Sequence, residues 1–320
     1  MTEIKVQRAP SSPFFSVVIP VHNKVDYLER SLACIYEQTF GDCEIIAVDD
    51  CSSDGSLEIL KQHERAGKLR LYQRQEPGPG GYAARNLGVS HSVGKWVMFF
   101  DADDVVDVNH LAVFHEAITD NDDLDFYCGN YVMKVGDKVV GKNKGIRSGR
   151  YNKLDGLTFF ANNDFIHMNS ACIRRELFDR LGGFPEGRYK RGGDVYFWVR
   201  LLINIDHFYY SETVTSEWHL DNSHVTKNPD NLTLHPLADF IEVESPKLDR
   251  ECDIQLRRII NRKIIAWATE KKLQGKQCYR DFPHVSLKGL GYQNIIRMLV
   301  LSMPISVYQV VVDMKRSWRA

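Results

Sequence analysis

Val97-Met98-Phe99-Phe100-Asp101-Ala102-Asp103-Asp104 is an apolar run that empties into three carboxylates. Nothing in a hydrophobic core requires such a cluster, because acids this close repel one another unless a cation or bound donor groups compensate them. Hard divalent ions with oxygen ligands, Mg2+ or Mn2+, are the matching partners. An apolar strand that ends in acids belongs at the carboxyl edge of a parallel sheet, where open α/β folds bind ligands. An aspartate-rich surface turn would read the same in isolation, so the flanking chain decides.

Upstream, strand and helix patterns alternate. Phe15–Ile19 is a short β-rich run closed by Pro20, and Asp26 to Gln38 follows with Leu28, Leu32, Ile35 and Tyr36 on one helical face. Glu44–Val48 is a second strand running into Asp49 and Asp50. Ser52, Ser53 and Asp54 then offer N-caps to a helix carrying Leu57, Ile59 and Leu60. Leu69–Tyr72 reads as a third strand, Pro77–Gly81 as a Gly/Pro loop, Tyr82–Ser92 as a helix and Trp96–Phe100 as the fourth strand. Asn109–Thr119 is helical in pattern, and Leu124–Tyr127 is a fifth strand. This repetition predicts an α/β fold, a three-layer α/β/α sandwich around a mostly parallel central sheet.

Right-handed crossovers place the carboxyl ends of such strands on one side. Pro20–Asn23, Asp49–Asp54, Gly78–Asn86 and Asp101–Asp104 are therefore expected to line a common rim. Acids that hold a metal, together with helix N-termini and Arg85 to accept phosphate, describe a nucleotide-diphosphate site. A P-loop is excluded, since no G-x-x-x-x-G-K-[ST] occurs. Gly78-Pro79-Gly80-Gly81 does not open a helix directly after a strand, which weakens a dinucleotide-binding reading.

Composition is that of an ordinary globular protein, with 43% hydrophobic and 26% charged residues among 320. A net charge of −1 gives no electrostatic footprint for nucleic acid. The seven cysteines are odd in number and form no C-x-x-C pair, which argues against a disulfide framework or zinc ribbon and suits a reducing cytoplasm. Met1 to Pro13 is polar and shows no secretory h-region.

Four segments, Ser16–Asn23, Val48–Ser56, Gly81–Gly88 and Phe100–Asp104, together resemble the family 2 glycosyltransferases of the GT-A fold, over roughly residues 14–225. The resemblance implies an enzyme that moves a sugar from a nucleotide-sugar donor, by default a UDP-sugar, to an acceptor hydroxyl with inversion. It implies that Asp50 bonds the nucleobase and that Pro20, Val21, His22 and Asn23 pack around base and ribose. Asp101-Ala102-Asp103 would be the D-x-D motif, with Asp103 nearest the Mn2+ or Mg2+ ion and Asp104 a further candidate ligand. Arg85, one helical turn into its helix, is placed to reach the diphosphate, whereas Asn86 is expected to brace the loop.

An acceptor oxygen that attacks the anomeric carbon must lose a proton, so a base is needed. Downstream, Val195, Trp198, Val199 and Leu202 fall at helical spacing, and Asp194 stands at that helix's N-terminus, where the macrodipole favours a carboxylate. The family usually carries Glu-Asp at this point, with the Asp as base. Here the pair is Gly193-Asp194, so the base is kept and a neighbouring acid that often helps hold the acceptor is missing. Family members often carry a histidine after this stretch that completes the metal site or touches the diphosphate, for which His219 is the candidate and His224 the second choice. Asn169 and Ser170 are candidates to border the acceptor. Asp164 and His167 receive no role.

The expected organisation is a tail (1–13), a catalytic domain (14–225, with a nucleotide half 14–104 and an acceptor half 105–225) and a helical extension (226–320). Ser245-Pro246 is read as a helix start, leading to a face of Leu256, Ile259, Ile260, Ile264 and Trp267. Residues 295–312 are mostly apolar but broken by Arg297, Pro304 and Gln309, and Lys315, Arg316, Trp318 and Arg319 follow. That pattern is consistent with peripheral contact at the membrane's inner face as well as with a docked helix. The acceptor expected from the family is a saccharide or lipid-linked saccharide, in polysaccharide or glycolipid biosynthesis. Two other classes are weaker. A nucleotidyltransferase would want a Gly-rich loop with a cation after the first strand, which Pro20-Val21-His22-Asn23 lacks. A sugar-binding module would have little use for both the D-x-D and Asp194.

Overall fold

The Phe-Ser-Val-Val-Ile-Pro-Val run becomes strand β1 (Phe15–Val21) between two parallel neighbours, β2 (Cys43–Asp49) and β4 (Trp96–Phe99). Strands covered on both faces read as continuous apolar runs, and β1 and β4 do. Pro20 is tolerated in this central strand because pairing to β4 ends at Val18↔Phe99, before its missing N–H is needed. This computed structural model describes residues 12–142, 145–222 and 228–310. Met1 to Ser11, within the expected tail, lie outside the described residues, as do His224 and Lys315, Arg316, Trp318 and Arg319.

The chain divides into two compact units. The first comprises residues 1–149, 166–184 and 209–222. Besides β1, β2 and β4 it holds α1 (Val25–Tyr36), α2 (Ser56–Arg65), β3 (Arg70–Gln73) and α3 (Tyr82–Ser90). Beyond β4 come β5 (Val105–Val106), α4 (His110–Asp120), β6 (Phe126–Val135) and β7 (Lys138–Lys142). The later segments add β9 (Ala171–Arg174), α6 (Arg175–Arg180) and the greater part of β10 (His207–His219). The sheet runs β3-β2-β1-β4-β9-β6-β10-β5, with β7 on β6. Its first four strands are parallel, as expected; β9 enters antiparallel between β4 and β6, and the sheet from there on is mixed.

Helix α3 lies directly on β1: a Cβ at Gly88 would come 2.3 Å from Val18 Cγ1, which is why the Arg85-Asn86-Leu87-Gly88 run ends in glycine. The fifth strand, expected at Leu124–Tyr127, is instead β6, ten residues long and preceded by the two-residue β5. The alternation beyond Tyr127 is blurred because Asn130 is buried in the strand. Among the candidate caps of α2, the N-cap position is Gly55 in the left-handed region, and Asp54 accepts from Ser56 N at 3.0 Å.

The second unit comprises residues 150–165, 185–208 and 223–320. Asn152, ending β8 (Gly149–Asn152), caps α5 (Lys153–Asn162) through a capping box with Asp155. Helix α7 (Gly193–Asn204) packs against α5, and so does α9 (Arg250–Leu273). Ser245 does not start α9. It closes the short α8 (Phe240–Glu244) in the left-handed conformation, and Asp249 caps α9 by accepting from Cys252 N at 2.8 Å. A carboxylate on the first-turn amides gains the helix dipole as well as the hydrogen bond, an advantage a serine lacks. Helix α10 (Tyr292–Ser302) follows, and residues 305–310 are helical as well.

Candidate active site

In the first unit, the ends of β1, β2 and β4 carry the expected loops. Asn23 and Cys51 both have positive φ (52° and 61°), unusual for residues with a Cβ. Each is held by a cross-link between the two loops or their surroundings: Asn23 N donates to Ser52 Oγ (3.1 Å), Ser53 N to Asn23 Oδ1 (2.8 Å), and Cys51 Sγ to the Arg74 carbonyl. His22 Nδ1 lies 2.7 Å from the Asp50 carbonyl oxygen, which ties the first loop to the second. Pro20 and Val21 close β1 beneath them.

Asp49 and Asp50 divide their work. Asp49 accepts from Ser52 N and shapes the turn. The Asp50 carboxylate is buried under Arg74, whose guanidinium pairs with Oδ1, and Gly78 N donates to both of its oxygens (3.0 and 3.2 Å). A Cβ at Gly78 would sit 2.4 Å from Arg74 Nη1, so the glycine makes room for this pairing.

The carboxylates after β4 do not lie in a row. Asp101 pairs with Arg85, which also donates to the Gly80 carbonyl (3.2 Å) from its place in α3. Asp103 pairs with Lys24 Nζ at 2.5 Å, and Lys24 also reaches the Asn222 carbonyl (3.1 Å). Asp104 accepts from His219 N (2.8 Å) and from Asn169 Nδ2 (3.0 Å), while Asn169 Oδ1 accepts from Asp101 N (2.9 Å). Asn86 braces the Gly81-Asn86 region by a two-way bond with the main chain of Phe184.

His167 completes this group. Its ring packs against Trp218 and Tyr131, and Nε2 stands 4.0 Å from Asp104 Oδ2. Atoms of Asp101, Asp104 and His167 suitable as metal ligands all lie within 4.8 Å of one another. His167 Nδ1 is buried and has no hydrogen-bond partner among the described residues. Burial holds the His167 imidazole at about 4, so it is neutral and its lone pair is available.

The charges are unbalanced in a telling way. Burial pushes the Asp101 carboxyl up, but Arg85, with His167 and Lys24 behind it, outweighs burial and holds it below the ordinary range. Burial raises Asp103 against the pull of Lys24, and Asp101 adds to the rise. Asp104 is pushed well up by burial and by Asp101 and Asp103, opposed by the His219 amide. Crowded carboxylates of this kind gain from a cation. Two oxygen donors and a neutral imidazole make a donor set suited to Mn2+ or Mg2+, so the residues present fit a divalent ion.

The residues expected at the rim thus converge in part. Asp101, Asp104 and Arg85 share one cluster, and Asp103 is tied to Lys24 beside it. His219 supplies its main-chain N–H to Asp104, while its Nε2 lies 3.4 Å from Glu217 Oε2. Asn169 joins the acid cluster, and Ser170 bonds back to His167. Lys24, Arg74 and His167 were not singled out from the sequence. Lys24 directly follows a motif residue, but Arg74 lies between motifs and His167 sits in a segment without periodicity, and only the fold brings them to Asp50 and Asp104.

In the second unit, Asp194 occupies the first turn of α7, as expected. Gly192 ahead of it has φ 79°, and a Cβ there would meet Pro236 and Trp267 at 3.2–3.3 Å. Arg191 forms a two-pronged pair with Glu270 of α9 (2.9 and 3.0 Å) and lies over the Trp267 ring. Lys263, also on α9, pairs with Asp164 at 2.5 Å; burial lowers the pKa of its ammonium below the ordinary range against the pull of Asp164 and, behind it, Asp194. Asp164, given no role by the sequence, is thus an anchor for α9.

Comparison with known proteins adds to this geometry. The sequence profile described as Glycosyl transferase family 2 matches residues 16–182. A Mycobacterium tuberculosis (strain ATCC 25177 / H37Ra) protein named PGL/p-HBAD biosynthesis glycosyltransferase is 30% identical over 195 residues, which are 61% of this chain and 72% of that one. Glycosyltransferase GlyG of Streptococcus pneumoniae serotype 4 is 33% identical over 121 residues, 38% of this chain and 40% of that protein. The match spans 16% of GlyA from the same organism, so for GlyA and GlyG it covers less than half of their length. Among solved structures, S. aureus TarS 1-349 in complex with UDP-GlcNAc superposes with a TM-score of 0.71 at 20% identity, covering 95% of this chain and 91% of that one. The mannosyltransferase PcManGT from Pyrobaculum calidifontis, in complex with GDP-Man and Mn2+, gives 0.55 at 17% identity, covering 93% and 86%.

Proposed function

The chain belongs to glycosyl transferase family 2 and is a sugar-transferring enzyme of GT-A fold; from that premise we propose that it uses a UDP-sugar and inverts the anomeric centre, with Asp194 as base. The observation that carries this reading is the acid group at the end of β4, which with His167 offers ligand atoms able to hold a divalent ion beside Arg85. The sequence points to Asp103, Asp104 and His219 for the metal; the geometry instead favours Asp101 and Asp104 with His167, which has no role on sequence grounds, as ligands. Asp103 and His219 then act beside them, Asp103 through Lys24 and His219 through its amide on Asp104. When bound, such an ion would neutralise charge on the leaving diphosphate.

The chain's own residues do the rest. Arg85 and Lys24 hold the negative field of donor and acids in balance, and the Pro20–Asn23 loop walls the base. Asp50 selects uracil by accepting its N3–H. Arg74 takes Oδ1 of Asp50 and Gly78 N is shared between both oxygens, which leaves Oδ2 as the freer acceptor for a single N–H. The guanine edge offers two adjacent donors and would need both oxygens, so the uridine donor fits better. Asp194 takes the acceptor's proton as its oxygen bonds the anomeric carbon, and the bonding pair to the old oxygen leaves with the diphosphate. The acceptor is proposed to be a saccharide or lipid-linked saccharide used in polysaccharide or glycolipid biosynthesis. The seven thiols fit a reducing cytoplasm, with peripheral contact at the membrane's inner face through the C-terminal segment.

A panel of UDP-, GDP- and dTDP-sugars with Mn2+ tests the reading by donor hydrolysis and thermal shift. Stabilisation and slow hydrolysis with a UDP-sugar are expected. Stabilisation without hydrolysis or transfer would mark a binding module, and preference for a GDP-sugar would refute the role given to Asp50.

A further inference from the structure

Helix α10 presents a stripe that no other element covers among the described residues. Tyr292, Ile295, Ile296 and Leu299 fall at i, i+3, i+4 and i+7, the spacing of a core-facing stripe, yet they are exposed, Tyr292 by 72%, Ile296 by 55% and Leu299 by 62%. The opposite side is the one that packs: Leu301, with Met298 and Val300, meets Ile265 and Ala268 of α9. Leu287 before the helix is 88% exposed, and Met303, Ile305, Val307 and Val310 after it extend the apolar surface. Apolar patches of this extent mark interaction sites.

Charge identifies the partner. Residues 271–320 carry nine Lys and Arg against two Asp, a balance of +7, while the other 270 residues carry −8. Arg297 on α10 and Arg280 before it are exposed, and Tyr279 and Tyr292 add exposed aromatic rings. A second copy of this chain would bring a like charge against a like charge. An anionic lipid surface offers the opposite charge together with apolar depth, and an amphipathic helix with aromatic and basic residues binds such a surface. At 11 residues α10 is about 16 Å long, too short to cross a core of about 30 Å, so it would lie in the interface.

We propose that α10 docks the enzyme flat on an anionic membrane through Tyr292, Ile295, Ile296 and Leu299. This deepens the peripheral placement proposed above, and it does not depend on the donor chemistry. The test is co-sedimentation of the full chain with phosphatidylcholine vesicles, plain or with about 30% phosphatidylglycerol, at about 0.05 and 0.5 M salt. Binding to the anionic vesicles at low salt is expected, at least tenfold weaker on plain vesicles, at high salt, or after Ile296→Glu with Leu299→Glu. Both positions face solvent, so the double variant should keep its melting temperature and its nucleotide binding. No binding at low salt, or equal binding by the variant, overturns the proposal. So does self-association that the variant abolishes in a chain that ignores vesicles, which would give the stripe to a second copy. A chain that binds vesicles but no nucleotide sugar would refute the proposed function and leave this inference standing.

Discussion

Replacing Asp194 by Asn keeps the side chain's size and its place in the first turn of α7 while removing the proton acceptor. Turnover should fall by about 10²- to 10⁴-fold, the range for loss of a general base, with donor affinity within twofold. Rapid-quench rates paired with donor titration calorimetry check this, and wild-type turnover in the variant would exclude Asp194. Asp164 allows a pH prediction in the same unit. Burial pushes its carboxyl up, but Lys263 and Arg262 outweigh burial and hold it at about 2, against 3.8 unfolded. A depressed folded value means the pairing stabilises fully above about pH 4 and is lost as pH falls toward 2. Melting temperatures measured from pH 5 down to 2.5 should drop less steeply for Asp164→Asn than for the wild type, from a lower starting point. Parallel curves would mean that Asp164 does not anchor α9.

Helices α3, α7 and α9 carry the predictions that concern packing. Alanine at Gly88 must displace Val18 on β1, an overpacking that costs about 1–3 kcal/mol, read as a lower urea midpoint. On α9, Glu270 grips Arg191, and Trp267 abuts Gly192, so this helix brackets the turn that delivers Asp194. Glu270→Ala should lower kcat several-fold with donor affinity unchanged, and the swapped pair Arg191→Glu with Glu270→Arg should recover part of the loss. A purely structural bridge would instead change stability without this kcat selectivity. The parallel half of the sheet and α7 were legible in the sequence because their apolar runs and 3.6-residue stripes are uninterrupted. The α9 start was misplaced because Ser245-Pro246 and Asp249 are both sound caps, and the dipole's preference for a carboxylate decided between them. Register shifts and a buried Asn130 likewise hid the length of β6 and the antiparallel entry of β9.

Across the molecule, the candidate site residues readable from sequence are those whose proposed role and local motif coincide: Asp50, Arg85 and the Asp101–Asp104 cluster sit at strand ends or on the first turn of a helix. His167, Lys24 and Arg74 act through distance in space, 63 residues separating His167 from Asp104, and no local pattern announces them. A chain of this fold should also depend on its ion as a ligand depends on a preformed site, so nucleotide binding and metal binding are coupled and reciprocal. The most direct measurement is calorimetric titration of UDP into the wild type, His167→Ala and Asp104→Ala, each with Mn2+ and with EDTA. Mn2+-dependent UDP binding in the wild type, weakened about tenfold or more in both variants and nearly metal-independent there, is the predicted result. Equal UDP affinity with EDTA and with Mn2+ in the wild type, or unaltered Mn2+ dependence in both variants, would contradict the account.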